Sequence, residues 1–131
     1  MGKITVTIER GKDHFNAWAE EVPGIYAAGD TVKEVKEDIY RAIKLYKKNN
    51  KNIPEAIGGE MNITWNFDTH SFLEYINGTF TKSALERMTG INQKQLGHYA
   101  SGLKKPRPAT IEKIEKAIHR FVGDMSQVHL I

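Results

Sequence analysis

Residues 81–107 read TKSALERMTGINQKQLGHYASGLKKPR, a helical spacing broken once by a glycine. Ala84, Leu85 and Met88 fall on one side of a helix over about Thr81 to Thr89. Gly90 follows where a left-handed residue is wanted, and Asn92, with Gln95 three further on, caps the next helix. That helix, about residues 93–101, buries Leu96, Tyr99 and Ala100 and leaves Gln93, Lys94, Gly97, His98 and Ser101 on its other face; Gly102 ends it. Two short helices joined by a tight glycine turn are the sequence pattern of a helix-turn-helix DNA reader.

The flanks extend this helical half. Asp68 to Ile76 forms a helix capped by Asp68 or Thr69, burying Phe72, Leu73 and Ile76 and stopped by Asn77-Gly78. Downstream, Lys104-Lys105-Pro106-Arg107-Pro108 is a basic connector whose second proline suits the first turn of a last helix, with Ile111, Ile114, Ala117/Ile118 and Phe121 as the buried stripe. The tail, Ser126 to Ile131, is apolar: it forms a strand that pairs with a symmetry mate or with the sheet, or it folds back on its own domain.

The side chains on the outer face suit base edges and phosphates. Gln and Asn bond adenine N6/N7 bidentately and Lys reaches guanine O6/N7, so Gln93, Lys94 and His98 are base-edge candidates. Lys104, Lys105 and Arg107 would neutralise phosphates beside the groove, with Lys82 and Ser83 at the preceding helix start. Asn92, Gln95 and Ser101 complete the DNA-facing set. Charge placement agrees. Residues 1–67 hold ten Lys/Arg and ten Asp/Glu, whereas 68–131 hold nine and six, so the net +3 lies wholly in the second half. Between Thr79 and Arg107 the six bases Lys82, Arg87, Lys94, Lys104, Lys105 and Arg107 meet one acid, Glu86.

The first half has a different period. Ile4, Val6 and Ile8 alternate with polar residues as in a half-buried strand, and Arg10 to Asp13 supplies a turn. A partner strand over His14 to Glu21 puts Phe15, Ala17 and Ala19 on one face and Trp18 on the other, and Pro23-Gly24 turns the chain into a third run, Ile25 to Ala28. Thr31 with Glu34 resembles a capping box, and Val32, Val35, Ile39, Ala42/Ile43 and Tyr46 recur at helical spacing. Residues 47–59 read as loop, and Met61, Ile63, Trp65 and Phe67 then alternate as a fourth strand. The expected fold is α+β: a β-β-β-α-β domain over residues 1–67, then an all-α helix-turn-helix domain over 68–131. With 131 residues, 40% hydrophobic, the chain fills one core or two small ones.

The phrases ITVTIERG, PGIYAAGDTVKEVKEDI from Pro23 to Ile39, and GINQKQLGHYASGLKKP from Gly90 to Pro106 resemble the HicB antitoxins over almost the whole chain. The last phrase is also similar to the Xre/Cro class of regulators. The resemblance implies a reduced RNase H-like fold in the first domain, binding a small HicA-type mRNA-cleaving toxin and masking its active site. It implies a second domain that binds operator DNA of its own operon, as a homodimer or higher oligomer, and represses it. Glu86 departs from the pattern: Xre-type readers usually carry a small residue after the inward leucine, here Leu85, so the expected consequence is looser packing of the two reader helices. Without the toxin, the alternative is an orphan Xre-like regulator with a sensing or protein-binding front domain.

An RNase H-like nuclease needs clustered carboxylates for metal ions. The middle of the first strand is Thr5-Val6-Thr7, while Asp13, Glu20, Glu21, Asp30 and Asp38 fall on turns, edges and helix surface, so no catalytic residue, metal or cofactor is expected. His14, His70, His98, His119 and His129 lack metal-ligand spacing. The toxin contact is placed at Trp18, Glu20 and Glu21, an aromatic beside two acids facing a basic partner, with a core position for Trp18 the competing reading; Trp65 and Tyr40 share that ambiguity. No apolar run is long enough for a membrane span and no signal-peptide core opens the chain, so the expected compartment is the cytoplasm.

Overall fold

The structure, a computed structural model, describes residues 2–131. It is a mixed α+β chain with a four-stranded sheet and five α-helices. The strands are β1 (Gly2–Arg10), β2 (Phe15–Ala19), β3 (Tyr26–Gly29) and β4 (Met61–Phe67); the helices are α1 (Val32–Asn49), α2 (Thr69–Ile76), α3 (Lys82–Thr89), α4 (Gln93–Ala100) and α5 (Pro108–Met125). Two compact units divide between Ser71 and Phe72.

In the first unit the sheet order is β3-β2-β1-β4. The first three strands form the expected antiparallel meander, whereas β4 lies parallel to β1, with Ile4 opposite Ile63 and Val6 opposite Trp65. Alternation therefore sends Ile4, Val6, Ile8, Phe15, Ala17 and Ala19 into one core, where Val32, Val35, Ile39 and Ile43 of α1 meet them. Trp65 packs against this core and edge-on to Tyr40 of α1, their ring centroids 6.2 Å apart, so Trp65 lies on the helix side of the sheet while Tyr40 stays exposed at its margin. Trp18 is half-buried on the opposite face, which removes the core reading for it.

Local chemistry sets the helix start. Thr31 Oγ1 accepts from the Glu34 N–H at 3.1 Å, but the Glu34 carboxylate accepts from Asp30 N rather than from the cap residue itself, so only half of the expected capping box forms. The expected loop over residues 47–59 is shorter than its composition suggested. Helix α1 runs on to Asn49, and Glu55–Ile57 forms a 3₁₀ turn that drives Ile57 fully into the core. The third strand is shifted by one residue, taking in Gly29 where a stop was expected.

Helix α2 begins in the first unit. Asp68 Oδ1 accepts from Ser71 N at 2.7 Å, and the wholly buried Ser71 hydroxyl accepts from Arg10 N at 2.8 Å. Its loss would strand a β1 amide.

The second unit closes around Leu73, Ile76, Leu85, Ile91, Leu96, Tyr99 and Ile114, with Phe80 edge-on to Phe121 at 5.6 Å. Pro108 occupies the first turn of α5, as expected. Ile111 was expected in the buried stripe but is 44% exposed, since only Ile114 and Ala117 of that helix are buried. Residues 126–131 neither join the sheet of this chain nor fold back into its core: Val128 and Leu130 are exposed. Among the described residues no helix is long and apolar enough to cross a membrane.

Candidate functional site

The α3–α4 corner is held by short-range bonds. Thr81 Oγ1 accepts from Ala84 N at 3.0 Å and starts α3, and Gly90 ends it at φ 75°, a left-handed conformation that glycine adopts freely. The buried Thr89 hydroxyl donates to Leu85 O and accepts from Ile91 N, fixing the turn from inside. Asn92 Oδ1 accepts from Gln95 N at 2.8 Å and opens α4. The resulting spacing of two eight-residue helices is what the sequence implied.

Glu86 bonds across this corner. Its carboxylate accepts from Gln93 N at 3.3 Å, so the acid on α3 satisfies a free amide at the α4 N-terminus, where negative charge is favoured. Nothing in the sequence spacing announced it, because the bond crosses the turn.

The outer face of α4 presents Gln93 and Lys94, both exposed and with no side-chain bond among the described residues. Lys82 joins them: a Cβ placed on Gly97 would stand 3.8 Å from Lys82 Cε, so the lysine stem crosses the helix beside that glycine. Ser83, Lys104, Lys105 and Arg107 are exposed in the flanking segments. Three other expected contacts bond within α4 and its ends. Asn92 is the cap, Gln95 Nε2 donates to Tyr99 Oη at 2.8 Å, and the Ser101 hydroxyl donates to His98 O. His98 is half-buried and its Nδ1 lies inside without a partner among the described residues, which leaves Nε2 as the ring nitrogen open to a ligand. Lys113 was missed: its ammonium lies 3.7 Å from the position of a Cβ on Gly90, adding a base beside the turn.

The gap at Gly97 allows a direct measurement. Gly97→Ala meets only ordinary van der Waals contact, so it is expected to stabilise the second unit by about 1 kcal/mol through helix propensity, read as a higher denaturant midpoint. A lower midpoint would mean the glycine is structurally required.

The first unit offers a second surface, the sheet face turned away from α1. Thr7 lies opposite Trp18, and Trp18 opposite Tyr26, which is 68% exposed. Glu20 Oε1 accepts from Trp18 Nε1 at 3.0 Å and from Thr7 Oγ1 at 2.6 Å, so the indole is pinned across the sheet. Glu21 does something else: its Oε1 accepts from Thr5 N at 2.7 Å, covering a β1 amide where β2 has ended.

That bond from the Thr5 amide holds the Glu21 carboxyl below its ordinary value of 4.5. A lowered carboxyl stabilises the fold above the ordinary value, and the contribution is lost as pH falls through the lower folded-state value. Glu21→Gln is therefore expected to be less stable than wild type at neutral pH, by under about 1 kcal/mol at this exposed position. The difference should close below pH 4.5 in thermal melts; an equal gap at every pH would remove the charged bond from the account.

Among the described residues no group of three or more His, Asp or Glu could hold a metal ion. No family model, no curated protein and no solved structure matches this chain.

Proposed function

We propose that this protein is a helix-turn-helix DNA-binding repressor of the HicB antitoxin type, cytoplasmic and acting as a homodimer or higher oligomer. The observation that carries the reading is the α3–α4 corner: a glycine turn at φ 75°, two side-chain caps, and an exposed Gln93-Lys94 pair flanked by bases with almost no acid. An α-helix fits the major groove, where amide and ammonium side chains read base edges, while Lys82, Lys104, Lys105 and Arg107 hold phosphates. His98 Nε2 is a further base-edge group.

The β-β-β-α-β order, with β4 parallel to β1, supports a reduced RNase H-like front domain. Its first strand carries Thr5 and Thr7 at mid-length on the outer face and no acid there, which favours a binding role over hydrolysis. The toxin would dock where Trp18 is pinned by Glu20, a rigid aromatic anchor beside negative charge facing a basic RNA-cleaving partner.

Selection from random double-stranded oligonucleotides tests the DNA reading. Enrichment of one motif, repeated about one helical turn apart, is the expected result for a symmetric reader; no enrichment at low salt would sink it. Co-expression with the product of a neighbouring reading frame tests the front domain, with growth rescue and co-purification expected. DNA binding without rescue would leave the orphan regulator.

A further inference from the structure

The two edges of the sheet are treated differently. At the C-terminal end of β3 two outward-pointing amides are covered by α1: Ala28 N donates to Asp38 Oδ2 at 3.1 Å, and Asp30 N, just past the strand, to Glu34 Oε2 at 2.9 Å. An edge strand with free backbone groups is a template for another strand, and inward-reaching side chains are one way of blocking it.

The β4 edge has no such cover. Gly2 N donates to Glu60 O at 3.0 Å, which sets the parity of the parallel ladder: Asn62, Thr64 and Asn66 turn their backbone groups to β1, and Met61, Ile63 and Trp65 turn theirs outward. No hydrogen bond to these outward groups occurs among the described residues. The strand is seven residues long, pairs with β1 without a bulge, and contains no charge, proline or glycine, the devices that ordinarily protect an edge. Its four apolar side chains, Met61, Ile63, Trp65 and Phe67, stay only half-buried against the core.

We infer that β4 pairs antiparallel with β4 of a second copy of this chain, continuing the sheet across a two-fold axis at Thr64. The occupant is argued from self-complementarity. With Thr64 opposite itself, Ile63 meets Trp65 of the second copy and Met61 meets its Phe67 on the helix side, while Asn62 meets Asn66 on the other side. Every pair is apolar with apolar or polar with polar, and no like charges meet, the arrangement that favours cross-strand pairing. The half-buried side chains would cover one another. The inference does not rest on the DNA reading.

Thr64 is exposed, so it can be changed without touching the core. Sedimentation at micromolar concentration should give Thr64→Lys and Thr64→Glu each half the mass of the wild type, since like charges then face each other at the axis. An equimolar mixture of the two variants should recover the full mass, and Thr64→Ser should keep it. Far-UV circular dichroism identical to wild type shows that the variants fold. Equal mass for wild type and Thr64→Lys, or failure of the mixture to reassociate, would overturn the pairing and move any self-association to another surface, such as the exposed Val122 and Met125 of α5.

Discussion

Leu96→Ala is expected to remove about 2–5 kcal/mol from the second unit, the usual cost of emptying a buried leucine site. Leu96 is 1% exposed at the centre of a cluster contributed by α2, α3, α4 and α5. A domain of this size has a total stability of only some 3–9 kcal/mol at about 0.05–0.15 kcal/mol per residue, so the variant should lose a large share of it and its second unit should melt at a much lower temperature. The first unit has its own core, built from the sheet and α1. Thermal denaturation should therefore show loss of helical signal while tryptophan fluorescence, which comes from Trp18 and Trp65 of the first unit, keeps its native emission. Simultaneous loss of both signals would show that the units unfold as one.

The second large effect concerns the proposed base contacts. Gln93→Ala with Lys94→Ala leaves the α4 cap, Asn92 to Gln95, and the Glu86 bond to Gln93 N intact, because both use backbone amides. Alanine is at least as good a helix former as either residue, so the melting midpoint should not fall. Each good bidentate base contact discriminates by about 1–3 kcal/mol, so together the losses should weaken binding to the selected sequence about 30-fold or more. Fluorescence anisotropy at fixed salt reads this, and binding of scrambled DNA should change far less. Equal loss on both sequences would assign the pair to phosphates. Growth rescue by the front domain should survive the double change; its disappearance would argue against separable roles.

Much of this was legible because the deciding bonds are short. Thr81 to Ala84, Asn92 to Gln95 and the left-handed Gly90 are contacts within three residues, and the residue types that make them name their own positions. The strand alternation in β1 and β2 likewise fixes which side chains go inward. What escaped was set by distance in sequence. The parallel pairing of β4 with β1 is invisible to local pattern, and Ile57 is buried from within a stretch whose proline and glycines read as loop. Ile111 fits the helical stripe, but the stripe is wider than the surface available to cover it. In the candidate site, exposure of Gln93 and Lys94 followed from the helix face. The local uses of Gln95 and Ser101 did not, because short polar side chains bond their own helix as readily as a ligand.

The α1 carboxylates of Asp38 and Glu34 that cap the β3 edge bear on a number as well as a shape. In the proposed pairing, a sheet with one blocked side and one available side has a valence of one, so growth along the sheet would end at a pair. Replacing both acids with alanine would open the β3 edge of each pair, and pairs would then join edge to edge through β3 into a filament.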